Sequence, residues 1–244
     1  PWRGVKDPYV VWVSEIMAQQ TRIETVIPYF KKWFDVFPDV QALASAEQQD
    51  VLKLWEGLGY YSRARNLHRA AQVIVSEFDG QLPADAAALK TLPGIGDYTS
   101  AAIASLAFGL DEVALDGNIR RVLARIFDIA EPLGTGEAER QFLSLAKENL
   151  PGGQADDYNQ ALMDLGATVC VPRNPRCDGC PVVEFCQAHA LGNQSQRPVK
   201  KGNPPSPHYT VAAAVIHRNG DVLIAQRAED GLLGGMWEFP GGKQ

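Results

Sequence analysis

The chain has little of what marks membrane, secreted or repetitive proteins. No apolar run reaches the roughly 18 residues a membrane-spanning helix needs, and no signal peptide is visible. Four cysteines in 244 residues are too few for a disulfide framework. Internal repeats and low-complexity tracts are absent. Positive charge is not in excess: 23 Lys and Arg face 29 Asp and Glu, a net charge of −6. Bulk electrostatics therefore announce no nucleic-acid partner. Strand patterns are nearly missing before residue 190. The chain also opens on Pro1-Trp2-Arg3 rather than on Met, so a natural N-terminal segment is expected to be missing.

What is present is mostly helical. With 45% hydrophobic residues, 244 residues can bury one large core or two smaller ones. Asp7-Pro8 reads as an N-cap followed by proline at the first helical position. The helix it starts, 9–21, carries Val10, Val13, Ile16 and Met17 at helical spacing, with Glu15 inside that apolar segment. Further helices are expected at 25–37, 47–55, 62–78, 84–89, 98–108, 117–129, 135–149 and 157–170. Residues 191–207 are polar, rich in Pro and Gly and aperiodic, which reads as a linker. Beyond them period-two β-branched runs appear at 209–216 and 221–225, joined by the hairpin signal Arg218-Asn219-Gly220-Asp221. Some thirty residues of β pattern cannot close a core, so a second domain is expected to be cut short.

Two charge groups stand out locally. Between Tyr60 and Gln72 there is no acid, while Arg63, Arg65, His68 and Arg69 fall together; Arg120, Arg121 and Arg125 form a second group. Either set suits a phosphate backbone or a solvated helix face. A third feature is Leu92-Pro93-Gly94-Ile95-Gly96, a tight turn that leads into an Ala/Ser-rich helix and ends on Leu115-Asp116-Gly117-Asn118. Glycine allows close backbone approach to a ligand, and free N–H groups at a helix start favour anions. A gripped polyanion with an acid about two dozen residues on suggests an enzyme acting on nucleic acid.

Cys170, Cys177, Cys180 and Cys186 are spaced C-x6-C-x2-C-x5-C among prolines. Zinc sites usually show two tight pairs, and here only the central pair is tight; an iron–sulfur cube tolerates wider spacing. Chemistry alone leaves both open. The spacing after NQALMDLGATVC resembles the [4Fe–4S] loop of the endonuclease III superfamily of DNA glycosylases, in which Arg173 and Arg176 would face phosphate. LPGIG is similar to the hairpin of that superfamily's helix–hairpin–helix element, and LDGN to the segment carrying its catalytic aspartate. Members that also cut the strand place a nucleophilic lysine just after the hairpin. Tyr98 stands there in this chain, and a phenol cannot form a Schiff base.

Pro1-Trp2-Arg3, the run Trp12–Thr21 (WVSEIMAQQT) and Gly57-Leu58-Gly59-Tyr60-Tyr61-Ser62-Arg63 resemble the MutY-type adenine DNA glycosylases. One departure is Ala18, where the family more often has leucine. The resemblance implies a mainly α, two-lobed helix–hairpin–helix fold with a [4Fe–4S] loop, followed by a linker and the start of an α+β Nudix-like domain. The corresponding limits are 1–110 for a six-helix lobe, whose N-terminal residues can join the other lobe, and 111–190 for the cluster lobe. Residues 191–207 form the linker and 208–244 a partial Nudix-like domain for 8-oxoguanine recognition. It implies a monofunctional enzyme that flips adenine out of A:8-oxoguanine or A:G mispairs in double-stranded DNA. Glu15 would be the general acid, its pKa raised by apolar surroundings. Asp116 would stay ionised beside an oxocarbenium-like sugar, supported by Asn118, with Tyr98 lining the pocket. Gln20 and Tyr60 would wedge into the duplex, with Gly94, Gly96 and Arg63 at the backbone. Trp2, Arg3 and Gln160 would contact the adenine. The cluster ligands would be Cys170, Cys177, Cys180 and Cys186. The enzyme would be an intracellular monomer, at the nucleoid if bacterial, with no membrane association. GLLGGMWEFPGGK resembles the opening of a Nudix domain, but the chain stops at Gln244 before a glutamate-rich Mg²⁺-binding helix. Nucleotide hydrolysis is therefore not expected, and 8-oxoguanine discrimination is expected to be weak.

Overall fold

A computed structural model describes all residues except 203–205, 229, 230, 232 and 244. Parts of the expected linker and Nudix-like segment, including Leu232 and Gln244, therefore lie outside the described residues. Helix α1 is Pro8–Ala18, and the Asp7 carboxylate caps it by accepting from the amides of Tyr9 and Val10. It ends three residues before the expected Thr21. The chain turns out at Gln20, whose φ is +55°, and the carbonyls of Ile16, Met17 and Gln19 accept hydrogen bonds from Arg63.

Helices α2 (Ile23–Val36), α4 (Gln48–Leu54), α5 (Ser62–Glu77), α6 (Ala86–Leu89), α7 (Asp97–Leu106), α8 (Gly117–Ile126), α9 (Gly136–Glu148) and α10 (Ala155–Thr168) fall where the periodicity places them. Two were not anticipated: α3 (Val40–Ser45) and α11 (Gln187–Ala190). Both are too short to show a period. The first exists because Asp39 caps it through the Ala42 amide and because Val40 and Leu43 reach the core. Among the described residues no strand precedes Val211.

The helices enclose two cores. The first is built on Trp12, Trp33, Trp55, Leu67, Ile74 and Ile103, all at most 2% exposed. Trp33 Nε1 donates to the Tyr9 hydroxyl, which donates to the Phe37 carbonyl, whereas the buried Trp12 Nε1 has no partner among the described residues. The second core gathers Val113, Leu115, Ile119, Leu123 and Phe142 from α8, α9 and the segment before α8. Between them lies a thin seam of Ala101, Ala102 and Ala114. Small side chains let α7 approach the second lobe closely. The fully buried Asn159 of α10 locks that approach. It accepts from the Ala114 amide and donates to the Ser105 hydroxyl and the Glu112 carbonyl.

The stretch read as a linker is anchored over part of its length. Arg197 pairs with Asp128 at 2.8 Å, Asn193 donates to the same carboxylate, and the Leu133 amide donates to the Val199 carbonyl. Beyond it β1 (Val211–Ala213) pairs antiparallel with β6 (Gly241–Lys243), and β4 (Ala225–Gln226) with β5 (Trp237–Glu238). The expected hairpin is present. β2 (His217–Arg218) and β3 (Asp221–Val222) turn on Asn219 and Gly220, both at positive φ, as a type I′ turn requires. The strands are shorter than the β-branched runs, and their apolar side chains stay largely exposed. Arg65 of α5 reaches this segment, donating to the Gly234 carbonyl at 2.7 Å.

Candidate active site

The two lobes leave a cleft of about 920 Å³ between them. Its floor comes from the end of α1, the start of α7 and the start of α8. Glu15 projects from the last turn of α1, whose other faces are buried. Tyr98, second residue of α7, is delivered opposite it by the turn Leu92–Gly96. Gly94 in that turn has φ +77°, and a Cβ there would lie 2.6 Å from the Asn66 Cβ, so only glycine fits. Gly96 differs from the expectation for an alternating pair. It is extended (φ −98°) and caps α7, with open space where a side chain would be.

The Tyr98 hydroxyl donates to Glu15 Oε2 at 2.5 Å. Desolvation pushes the Glu15 carboxyl above its ordinary range. The phenol opposes that shift, the negative charge of Asp116 adds to it and the Arg3 cation reduces it. The Tyr98 phenol itself is held well above its usual range by burial and by Glu15. It is a neutral donor.

Asp116 caps α8. Its Oδ1 accepts from the Ile119 amide at 2.6 Å and its Oδ2 from the Asn118 side chain at 3.0 Å. Burial raises this carboxyl too, against those donors and the nearby Arg121. The polar chain continues outward: Arg121 donates to Asn118 Oδ1 (2.8 Å), to the Gly166 carbonyl (2.7 Å) and to the Cys170 carbonyl (2.8 Å). Gly166 makes this packing possible, because a Cβ there would fall 2.7 Å from the Asn118 Cβ.

Glu15, Tyr98, Asp116, Asn118, Gln20, Gly94, Gly96, Trp2, Arg3 and Gln160 all line this one cleft. The residues expected at adenine are mutually engaged. Arg3 donates to Gln160 Oε1 at 2.9 Å and pairs with Asp164, while Trp2 packs on Phe30 with centroids 4.9 Å apart. Four expected DNA contacts lie outside the cleft. Tyr60 stands on an exposed loop, 60% accessible, and Arg173 and Arg176 are exposed on the cysteine loop. Arg63 departs from the expectation of a backbone contact: its guanidinium points inward and is taken up by protein oxygens. The second arginine group divides, Arg120 and Arg121 lining the cleft and Arg125 lying inside the protein. Arg120 pairs with Glu139 at 2.7 Å, and Arg125 is 2% exposed. The sequence grouped Arg121 with phosphate-facing or solvated cations rather than with Asn118, and it gave no signal for Asn159. An amphipathic count treats Arg and Asn as solvent-facing, and only the tertiary partners reveal otherwise.

The four cysteines line one pocket with Arg125, His189 and Gln194. Among the described residues no three His, Cys, Asp or Glu side chains converge closely enough to hold a single ion. Four thiols facing one space suit an iron–sulfur cube. Arg125 anchors the loop, donating to the Cys170 sulfur at 3.3 Å and to the carbonyls of Val171 and Pro172.

The comparisons agree with this geometry. Residues 13–148 match the family described as "HhH-GPD superfamily base excision DNA repair protein". Residues 170–186 match the iron–sulfur binding domain of endonuclease III, and 211–244 a NUDIX domain. The cysteines therefore hold a [4Fe–4S] cluster. Mouse adenine DNA glycosylase is 36% identical over 98% of this chain and 57% of its own length. The adenine DNA glycosylase of Buchnera aphidicola subsp. Acyrthosiphon pisum is 34% identical over 98% of this chain and 69% of its own. The chain thus spans a little over half the length of the mouse relative. A thermostable thymine-DNA glycosylase superposes with a TM-score of 0.70 at 31% identity, covering 78% of this chain and 88% of that one. An endonuclease III in complex with DNA shares the fold, with a TM-score of 0.67 at 20% identity over 76% of this chain and 86% of that one. No helix among the described residues is long and apolar enough to cross a membrane. The chain belongs to the HhH-GPD superfamily of base excision DNA repair proteins, in its adenine DNA glycosylase family.

Proposed function

We propose that this chain hydrolyses the N-glycosidic bond of adenine paired with 8-oxoguanine or guanine in duplex DNA, without cutting the strand. One observation carries the reading: two carboxyl groups in different settings face a single cleft, with Tyr98 on one of them. Adenine is a poor leaving group and needs a proton. Glu15, its carboxyl raised by desolvation, is the group placed to carry that proton and deliver it to the base. Burial raises Asp116 as well, but it is opposed there by the Ile119 and Asn118 donors and by Arg121, and in its ionised form Asp116 stabilises the positive sugar left behind. Asn118 orients it. Tyr98, a neutral phenol where strand-cutting members carry lysine, offers no amine for a covalent adduct, so water completes the reaction.

Reaching the base requires extrusion of the nucleotide into the cleft. Gln20 and Tyr60, at exposed loop tips, fill the gap left in the duplex. Gly94 and Gly96 present turn amides to phosphate, and Arg173 and Arg176 add cations on the cluster loop. Trp2, Arg3 and Gln160 form the wall against the base, Arg3 exchanging its present partners for it. The [4Fe–4S] cluster, held by Cys170, Cys177, Cys180 and Cys186, supplies a rigid support for that loop. The domains run as the sequence divides them, with 208–244 contributing to recognition of the opposite base and the chain acting as a monomer. The structural likeness to a thymine-DNA glycosylase supports a second reading, removal of thymine from T:G pairs.

A substrate panel separates the readings. Duplexes carrying A:8-oxoguanine, A:G, T:G or uracil are incubated with the protein and then treated with alkali to reveal abasic sites. Release of adenine from the first two is expected, with no strand break before alkali. Release of thymine alone, or strand cleavage without alkali, overturns the proposal.

A further inference from the structure

Arg63 engages two loops that are far apart in sequence. Its Nη1 donates to the carbonyls of Ile16 (2.9 Å), Met17 (3.1 Å) and Gln19 (2.7 Å). These are orphan acceptors at the C-terminal end of α1, where a cation also meets the negative end of the helix dipole. Its Nη2 donates to the Thr21 hydroxyl (3.3 Å) on the same loop, and to the carbonyls of Leu58 (3.3 Å) and Gly59 (3.1 Å) on the other. The guanidinium carbon lies 5.2 Å from the Trp55 ring centroid and 5.6 Å from that of Tyr60. Trp55 Nε1 in turn donates to the Gly59 carbonyl at 3.0 Å.

The two loops share an unusual property. Each carries at its tip an exposed non-glycine residue in the left-handed region: Gln20 at φ +55° and Tyr60 at φ +49°. Such conformations cost of order 1 kcal/mol or more and persist only where the surroundings over-determine them. Here a single planar, five-donor fork lies beneath both. Lysine could not replace it, because a point ammonium with three donors cannot bridge acceptors on two loops while stacking between rings.

We propose that Arg63 is a positioning residue that couples the Gln20 and Tyr60 tips into one rigid pair, so that both meet the duplex at a fixed separation. Because the same fork caps α1, it also fixes the turn that carries Glu15. The coupling is a property of the free protein; its use on DNA rests on the adenine-excision reading above.

The experiment therefore has a DNA-free arm and a DNA arm. Tyr60 is replaced by 3-fluorotyrosine and followed by fluorine NMR in the full chain. Thr21→Val, which removes the Arg63 side-chain acceptor on the far loop, should shift or broaden the Tyr60 resonance, whereas Thr91→Val, whose hydroxyl bonds the Ala88 carbonyl instead, should not. In the Arg63→Lys background, with helical circular dichroism and cluster absorbance retained, the response to Thr21→Val should vanish. If Arg63→Lys does not fold, the Thr21/Thr91 pair in the otherwise native chain decides alone. In the DNA arm, single-turnover adenine release by Arg63→Lys should fall by about tenfold or more, while Arg69→Lys stays within about twofold. A Tyr60 signal indifferent to Thr21→Val, or one that still responds without Arg63, overturns the coupling. Intact coupling with full excision by Arg63→Lys overturns its use on DNA. A native chain that releases no adenine while the coupling is present refutes the excision reading and leaves the coupling established.

Discussion

Replacing Tyr98 by phenylalanine tests the proton inventory of the cleft. In the proposed reaction Glu15 is the acid, so excision should persist while its carboxyl is protonated and be lost as pH rises through its pKa. The Tyr98 hydroxyl donates to that carboxyl at 2.5 Å, and such a bond favours the ionised form. It therefore pulls the pKa down against the larger desolvation effect. Removing the hydroxyl leaves desolvation and the Asp116 charge unopposed by this donor, so the pKa must climb further. A hydrogen bond to a charged acceptor is worth about 1.5–3 kcal/mol, and about 1.4 kcal/mol corresponds to one pKa unit. Water entering the vacated space recovers part of this, so a shift of about one unit is expected. The assay is single-turnover adenine release against pH, with the alkaline limb fitted for native protein and Tyr98→Phe. The limb should move to higher pH. Arg3→Met, which removes a more distant stabilising charge from the same carboxyl, should move it the same way by less. An unmoved limb, or one displaced to lower pH, means that Glu15 is not the acid being titrated.

Three further outcomes follow from the same geometry. Glu15→Gln should abolish excision while duplex binding stays within about threefold by fluorescence anisotropy. Because the folded-state pKa of Glu15 is raised, its penalty is absent in acid and appears as pH rises. The variant should therefore melt higher than the native chain at neutral pH, by about 2–4 °C per kcal/mol relieved, with the difference fading in acid. Asp116→Asn keeps an N-capping side chain but loses the charge, so activity should collapse with stability within about 0.5 kcal/mol. Asp116→Ala should add the loss of the cap, about 1 kcal/mol by urea melts. Arg121→Met strands the Gly166 and Cys170 carbonyls and frees Asn118. Iron release to a chelator should then accelerate and excision slow, whereas Arg120→Met, which loses Glu139 instead, should leave iron release unchanged.

Much of the fold was legible because its helices are long and periodic. Thirteen to sixteen residues in α2, α5, α9 and α10 give several turns of pattern, and capping residues such as Asp7 and Thr135 mark where helices start. The hairpin at Asn219-Gly220 was legible for a local reason, since only a type I′ turn satisfies that pair between strands. Elements set by tertiary contacts were not. Helix α3 needs Leu43 in a core assembled elsewhere, and the end of α1 is decided by an arginine more than forty residues away. Arginines were the least legible residues: Arg63, Arg121 and Arg125 all read as surface cations. Each instead serves as an internal fork, because guanidinium can satisfy many carbonyls at once. Motif residues around the cleft were visible as types and spacings, but their partnerships depend on which lobe each element joins.

The clasp formed by residues 2–6 has a consequence in time. Trp2 rests on the first lobe, yet Arg3 holds Gln160 and Asp164, and Lys6 holds Asp156, at sequence separations of 150 to 161. On the ribosome, α1 emerges long before α10 exists. At about 5–20 residues per second, that gap corresponds to roughly 8–30 s during which one wall of the cleft has nothing to close against. The first lobe can bury its tryptophans in that interval, but the pocket that would receive a base is completed only when the second lobe arrives. A nascent chain is therefore folded before it is armed.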